Sequence, residues 1–141
     1  IDQYFALYKK VKVYMEETVA QAKEVGYTLT LMNRKRYLPD LKSQNRQVRE
    51  SAERIAINSP VQGSAADLIK LAMIRLAEEI RKKKLKSRMI LQVHDELVFE
   101  CPVDEEQEMR ALVTKEMEEV MPLKVPLIVD IGWGENWNSA H

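Results

Sequence analysis

Three adjacent residues, His94, Asp95 and Glu96, stand between two short apolar runs, residues 89–93 and 97–99. Carboxylates at a turn are commonly just solvated. A pair preceded by histidine and held between two buried strands is a donor set that a hard cation accepts. Mg²⁺ takes oxygen ligands and keeps several waters, so one or two carboxylates plus substrate phosphates complete its shell. Two-metal phosphoryl transfer sets the ions about 3.5–4 Å apart, and the bridging carboxylates must converge from different strands. Side chains of neighbouring residues on an extended backbone point to opposite faces, so Asp95 and Glu96 are not both bridging ligands. Glu100 and Asp130 lie on expected strands, but nothing in their context marks either as the partner. A metal site here is incomplete.

A second constellation is Arg54, Asn58 and Gln62, which recur at steps of four and fall on one slowly drifting stripe of a helix. A guanidinium and two amides can reach phosphates and base edges, since the amides both donate and accept. A solvated helix face explains the same spacing. Arg34, Lys35 and Arg36 on a turn are able to grip phosphates or simply to solubilise a loop. The sequence has no cysteine–histidine zinc pattern, no glycine-rich phosphate loop and no nucleophile elbow.

The elements that must position these groups follow from apolar periodicity. Tyr4, Leu7, Val11, Tyr14, Met15 and Val19 predict one amphipathic helix over residues 2–24, stopped by Gly26. Residues 27–32 and 36–39 predict a short hairpin around the basic turn. A long helix is expected from Ser43 or Asn45, either of which can cap it, with Val48, Ala52, Ile55, Val61, Ala65, Leu68, Ala72, Leu76 and Ile80 as its buried stripe. Pro60 lies inside it and predicts a kink or break. Residues 88–93 and 97–101 predict an antiparallel hairpin with the acidic tip between them. A helix over 105–121, a third strand over 127–131 and a Gly/Trp/Asn-rich tail follow. The order predicts an α+β fold with helices on one face of an antiparallel sheet.

The composition is that of a globular chain: 45% hydrophobic, 31% charged, and a net charge of +0 across 141 residues. A uniformly basic nucleic-acid binder is excluded, but the charge is uneven. Basic residues crowd 34–49 and 81–88, and acidic ones 104–119, which predicts one surface for a polyanion and another for water. No apolar run approaches the ~20 residues that span a bilayer. The single cysteine, Cys101, has no intrachain partner, so a reducing compartment is expected. The chain opens on Ile1 directly in helical spacing, as a segment cut from a longer protein would.

Taken together, four segments resemble family A DNA polymerases of the bacterial type. Gln92-Val-His-Asp-Glu96 with Leu97-Val-Phe-Glu100 is similar to that family's third polymerase motif. Arg54 through Asn58, Pro60 and Gln62-Gly-Ser-Ala-Ala-Asp67 resembles its long palm helix. Arg34-Lys-Arg-Tyr37 with Pro39-Asp40 looks like the basic turn before that helix, and Glu135-Asn-Trp137 with Ala140-His141 resembles its carboxyl terminus. The likeness covers essentially the whole chain in order. One departure is Asn33, where glycine is expected before the basic turn.

The resemblance implies specific roles. Asp95 would be one of two aspartates holding catalytic Mg²⁺, with Glu96 a secondary acidic group and His94 helping to place the primer end. Arg54, Asn58, Gln62 and Gln92 would touch the primer–template duplex, and Arg34 and Arg36 its phosphates. Residues 1–33 would be the last part of the fingers, and 34–141 the C-terminal part of the palm with the catalytic hairpin. The palm sheet packs on long helices and is incomplete without the rest of the polymerase. The implied partners are primer–template DNA, deoxynucleoside triphosphates and the remainder of the polymerase chain, in the cytoplasm and with no membrane. The other metal aspartate and the fingers helix that binds the incoming nucleotide are not found in these residues, so the segment alone is expected to be inactive. Two other classes fit the residues without the resemblance: a small metal-dependent nuclease using Asp95 with Glu96 or Asp130, and a non-catalytic nucleic-acid-binding module.

Overall fold

The structure, a computed structural model, describes residues 2–140; Ile1 and His141, which enter the readings above, lie outside the described residues. The chain forms two compact units that divide between Asp67 and Leu68.

In the first unit the predicted 2–24 helix is two helices, α1 (Asp2–Leu7) and α2 (Lys9–Val25). Tyr8 separates them at φ −109° and ψ 59°. Its carbonyl accepts from Val11 N–H at 3.0 Å, a tightened turn of the three-residue type. Only the later part of the apolar stripe meets a core, where Val19 packs against Ala22, Leu38, Leu41, Ala52 and Ala56. Tyr4, Leu7 and Val11 are exposed, so the periodicity is right for a helix and wrong for burial. Gly26 ends α2 as expected, at φ 84°, with its N–H donating to Ala22 O at 2.8 Å. That left-handed conformation is one that only glycine adopts without strain.

The first hairpin pairs β1 (Tyr27–Leu29) with β2 (Lys35–Tyr37). Its turn is closed by Asn33 N–H on Thr30 O at 2.9 Å and Thr30 N–H on Arg34 O at 3.1 Å, with Asn33 at φ 59°. Asparagine is the side chain that tolerates this region best, so the departure from glycine preserves the turn. The long helix α3 (Arg46–Lys83) begins where Asn45 Oδ1 accepts Gln47 N–H at 2.9 Å. It runs through Pro60 without the predicted break. One lost hydrogen bond is outweighed because both flanks are fixed, with Ala56 and Ser59 buried before the proline and Ser64 and Asp67 after it. The predicted stripe errs here: Val61 is 63% exposed, and the inward positions of this stretch are polar.

In the second unit Leu76 of α3 packs with Met109, Leu112 and Val113 of α4 (Glu106–Glu118). The second hairpin, β3 (Arg88–Val93) and β4 (Glu96–Glu100), lays Met89, Leu97 and Phe99 against this core. The two strands are not buried as expected. The register slips between Met89 and Leu91, leaving Ile90 as a bulged residue, and Ile90 and Leu91 are 60% and 43% exposed. Residues 127–131 form no strand. Val129 and Ile131 do reach the core, but side chains of α4 occupy their backbone groups: Glu118 accepts Val129 N–H at 3.0 Å, and Arg110 donates to Ile131 O at 3.2 Å. A four-residue helix, α5 (Trp137–Ala140), closes the described chain. Among the described residues there are two antiparallel pairs with helices, an α+β fold.

The α3 terminus carries a strained cap. Leu85 N–H bonds Ile80 O at 3.0 Å and Lys84 N–H bonds Arg81 O at 3.1 Å, with Lys84 at φ 57°. This six-to-one pattern normally places glycine at the left-handed position. A left-handed residue with a Cβ costs about 1–2 kcal/mol, and glycine returns part of the difference in unfolded-chain entropy. Lys84→Gly is therefore expected to raise stability by about 0.5–1 kcal/mol, read as an increased midpoint in chemical denaturation with an unchanged slope.

Candidate functional site

The acidic tip is a two-residue turn. Val93 pairs with Glu96, and His94 and Asp95 connect them. His94 sits at φ 52°, a sparsely used conformation that histidine tolerates better than most residues. Gln92 Nε2 donates to the His94 carbonyl, so the side chain expected to reach the duplex also braces the tip. His94 and Asp95 are exposed and Glu96 is half-buried on β4, the divergence that adjacent positions require. Glu100 pairs with Arg88 at the far end of the hairpin. It lies about 13 Å from Glu96 at the usual rise per residue, too far to share an ion with the tip.

Among the described residues no group of three or more His, Cys, Asp or Glu side chains is arranged to hold a metal by itself. The donor chemistry at the tip does fit a share of a Mg²⁺ shell. Asp95 offers an exposed carboxylate on a braced turn, and such an ion takes few protein oxygens when phosphates and water supply the others.

The hairpin is anchored at its other end by Glu105. That carboxylate accepts Lys86 N–H at 2.8 Å, Ser87 N–H at 2.9 Å and the Ser87 hydroxyl at 2.6 Å. The Lys86 amide, then the Ser87 hydroxyl, hold Glu105 below the usual carboxylate range against the opposing effect of burial.

In the first unit, Arg54, Asn58 and Gln62 are all exposed along α3, which continues through Pro60. Gln62 borders a narrow cleft of about 40 Å³ together with Arg36, Arg34, Thr28, Thr30 and Ser59. Arg36 is exposed, and among the described residues it has no ion pair. Arg34 is half exposed too, but its guanidinium bends back onto α3. Its Nε donates to Asp67 Oδ1 at 2.8 Å and its Nη2 to Gly63 O at 3.1 Å. Asp67 Oδ2 accepts the Thr30 hydroxyl, and Ser64 Oγ accepts Leu31 N–H at 2.8 Å. The small residues from Gly63 to Ala66, Ser64 among them, are ones the sequence marks as able to let another backbone come close, whereas Asp67 and Thr30 receive no role of their own there. The available signal was a carboxylate and a hydroxyl at positions 67 and 64, inside a run of small residues, where an apolar stripe should continue.

The expected separation into a basic and an acidic surface is blurred. Lys83 pairs with Glu108 at 2.8 Å, Lys82 with Glu79 at 2.7 Å and Arg46 with Glu50 at 2.7 Å. Such surface pairs contribute little to stability, yet they neutralise part of each basic run.

An α+β chain with a carboxylate-tipped hairpin and a long amide-bearing helix has known relatives. The family model described as DNA polymerase family A matches residues 1–139. The chain is 53% identical over 137 residues to DNA polymerase I of Caldicellulosiruptor bescii, covering 97% of this chain and 16% of that protein. It is 51% identical over 140 residues to the thermostable DNA polymerase I of Thermus thermophilus, covering 99% of this chain and 17% of that one. Among solved structures it is similar to the POL domain of Pol1 from M. smegmatis in complex with DNA primer-template and dNTP. There the TM-score is 0.97 and the identity 50%, covering 99% of this chain and 24% of the other. The chain belongs to DNA polymerase family A. It spans about one-sixth of the length of these curated relatives.

The Glu105 anchor has a pH signature. A carboxylate whose folded pKa is depressed contributes stability that is complete above its unfolded value and is lost as pH falls through the folded value. Acid melts of Glu105→Gln should therefore show a lower midpoint than the unsubstituted chain at neutral pH, with the two converging as the acid range is entered.

Proposed function

We propose that this chain is the C-terminal portion of a DNA-directed DNA polymerase acting in replication and repair, in which the 3′-hydroxyl of a primer loses its proton and attacks the α-phosphate of a deoxynucleoside triphosphate, breaking the α–β phosphoanhydride bond and releasing pyrophosphate. The observation that carries the proposal is Asp95, exposed on a braced two-residue turn between paired strands in a chain whose relatives are named DNA polymerase I.

Asp95 would hold Mg²⁺ together with an aspartate from outside these residues, and the ions would supply charge neutralisation on the triphosphate and activation of the hydroxyl. The protein's own contribution is placement. The turn fixes Asp95, Glu96 stands beside it as a second acidic group, and His94 would help to place the primer end. Arg54, Asn58 and Gln62 present donors and acceptors along one helix face for the duplex, Gln92 braces the tip and reaches the same substrate, and Arg36 takes a phosphate. The resemblance gives Arg34 the same task, although its guanidinium also bonds Asp67 and Gly63 O. Residues 1–33 would be the end of the fingers and 34–141 the end of the palm. The remainder of the polymerase chain, primer–template DNA and deoxynucleoside triphosphates are the partners, in the cytoplasm. No helix among the described residues is long and apolar enough to cross a membrane.

Primer extension separates this reading from its alternatives. In a complete polymerase carrying this chain, Asp95→Ala removes a metal ligand worth several kcal/mol in the transition state, so Mg²⁺-dependent extension should fall by about a thousandfold or more. The 141-residue chain alone should extend no primer. Extension by the isolated chain would refute the dependence on outside residues, and Mg²⁺-dependent DNA cleavage lost in Asp95→Ala would favour a nuclease.

A further inference from the structure

The two arginines of the basic turn look equivalent in sequence and are not equivalent in space. Asp67 is 7% exposed, and among the described residues it is the one ionisable side chain that is buried. A carboxylate in that position must be paired and hydrogen-bonded to remain charged. Arg34 Nε meets one oxygen at 2.8 Å and the Thr30 hydroxyl meets the other. Thr30 Oγ1 in turn accepts Arg34 N–H at 3.1 Å, so turn, hydroxyl and carboxylate close a ring. Arg34 Nη2 reaches Gly63 O at 3.1 Å. The approach is tight enough that a Cβ on Gly63 would lie 2.6 Å from the Thr30 methyl. The segment ahead is tied as well, by Leu31 N–H on Ser64 Oγ at 2.8 Å.

The geometry points to Arg34 as a positioning residue: a strut whose guanidinium, though half exposed, is engaged by Asp67 and Gly63 O and with Thr30 holds the basic turn on α3, so that Arg36 and Gln62 border the same cleft with Arg36 left to take a phosphate of the duplex. The inference rests on the duplex-binding reading above and assigns the phosphate contact at this turn to Arg36 alone. The strut needs the fork of a guanidinium, because two divergent N–H groups serve Asp67 and Gly63 at once. Lysine carries the same charge on a single point and does not reproduce this. A phosphate contact at the surface has no such requirement.

The test measures binding of the chain to a primer–template duplex across a salt series, with variants checked for cooperative melting. Each phosphate contact contributes about 0.9 to the slope of log K against log salt. Arg36→Ala should lower the slope by about one unit, and Arg36→Lys should restore it. Arg34→Ala and Arg34→Lys should both melt earlier than the unsubstituted chain and both bind several-fold more weakly, with the slope unchanged. Asp67→Asn should weaken binding in the same way, and combined with Arg34→Lys it should add little further loss. A one-unit fall in slope in Arg34→Ala that Arg34→Lys restores would overturn the strut, as would tighter, more salt-dependent binding in Asp67→Asn, the sign of a phosphate-seeking arginine set free. If no variant and no salt concentration changes duplex binding, the duplex reading fails. The melts of Arg34→Lys, Asp67→Asn and their combination then still decide the strut, which is refuted if their losses are absent or simply add.

Discussion

A carboxylate removed from water stays ionised only where protein groups replace the water, and the first unit is organised around that requirement at Asp67. Partners come from the hairpin turn, through Thr30 and Arg34, and the neighbouring Gly63 and Ser64 let the turn approach the helix closely enough to supply them. Here the inward face of α3 changes from Ala52 and Ala56 to Ser59, Ser64 and Asp67. Polar packing of this kind contributes less to stability than an apolar seam of the same size. It is directional, however, and specifies one orientation of the turn. That specificity ties the Arg34 guanidinium to α3 and leaves Arg36, without an ion pair among the described residues, at the same cleft.

Much of this was legible in the sequence where local rules decide. Gly26 stops α2, Asn45 caps α3, and the acidic tip joins two strands where the alternation of apolar runs placed it. Asn33 keeps the left-handed turn that glycine would have supplied. The failures share a physical cause: apolar periodicity reports what a segment is able to bury and says nothing of whether a partner surface meets it. Tyr4, Leu7 and Val11 have helical spacing and remain exposed, and Ile90 and Leu91 lie on a bulged, uncovered strand. Residues 127–131 have strand composition, but a ladder is made by a neighbouring backbone, and Glu118 and Arg110 take its place. Asp67 escapes notice for the opposite reason, since a charged residue in a helical pattern reads as solvent-facing until its partners are known.

Charge patterning was legible only in part, because linear clusters do not survive folding as surfaces. Lys82 and Lys83 belong to the densest basic run, yet each lies against a carboxylate, one from its own helix and one from α4. Their pKa values are raised chiefly by those hydrogen-bonded partners, so both charges are already engaged within the protein. A polyanion is better served by cations without such partners, and Arg36 and Arg54 are exposed with no ion pair among the described residues. Net charge near zero and a nucleic-acid contact are thus compatible, since the contact depends on which few cations remain unpaired.

The tip shows the same economy at smaller scale. A two-residue connection fixes its side chains through the backbone alone, and His94 adopts a left-handed conformation that a β-branched or bulky residue would resist. Strain of that kind persists where the surroundings over-determine it, and here two paired strands converge on the turn while Gln92 ties down the His94 carbonyl. Far from the tip, Glu105 pins the entry to β3 through the Lys86 and Ser87 amides. Braced at both ends, the hairpin holds Asp95 exposed at the turn. A ligand for a shared metal ion needs that placement: fixed in direction by its backbone, yet open on the side from which phosphates and water must complete the shell.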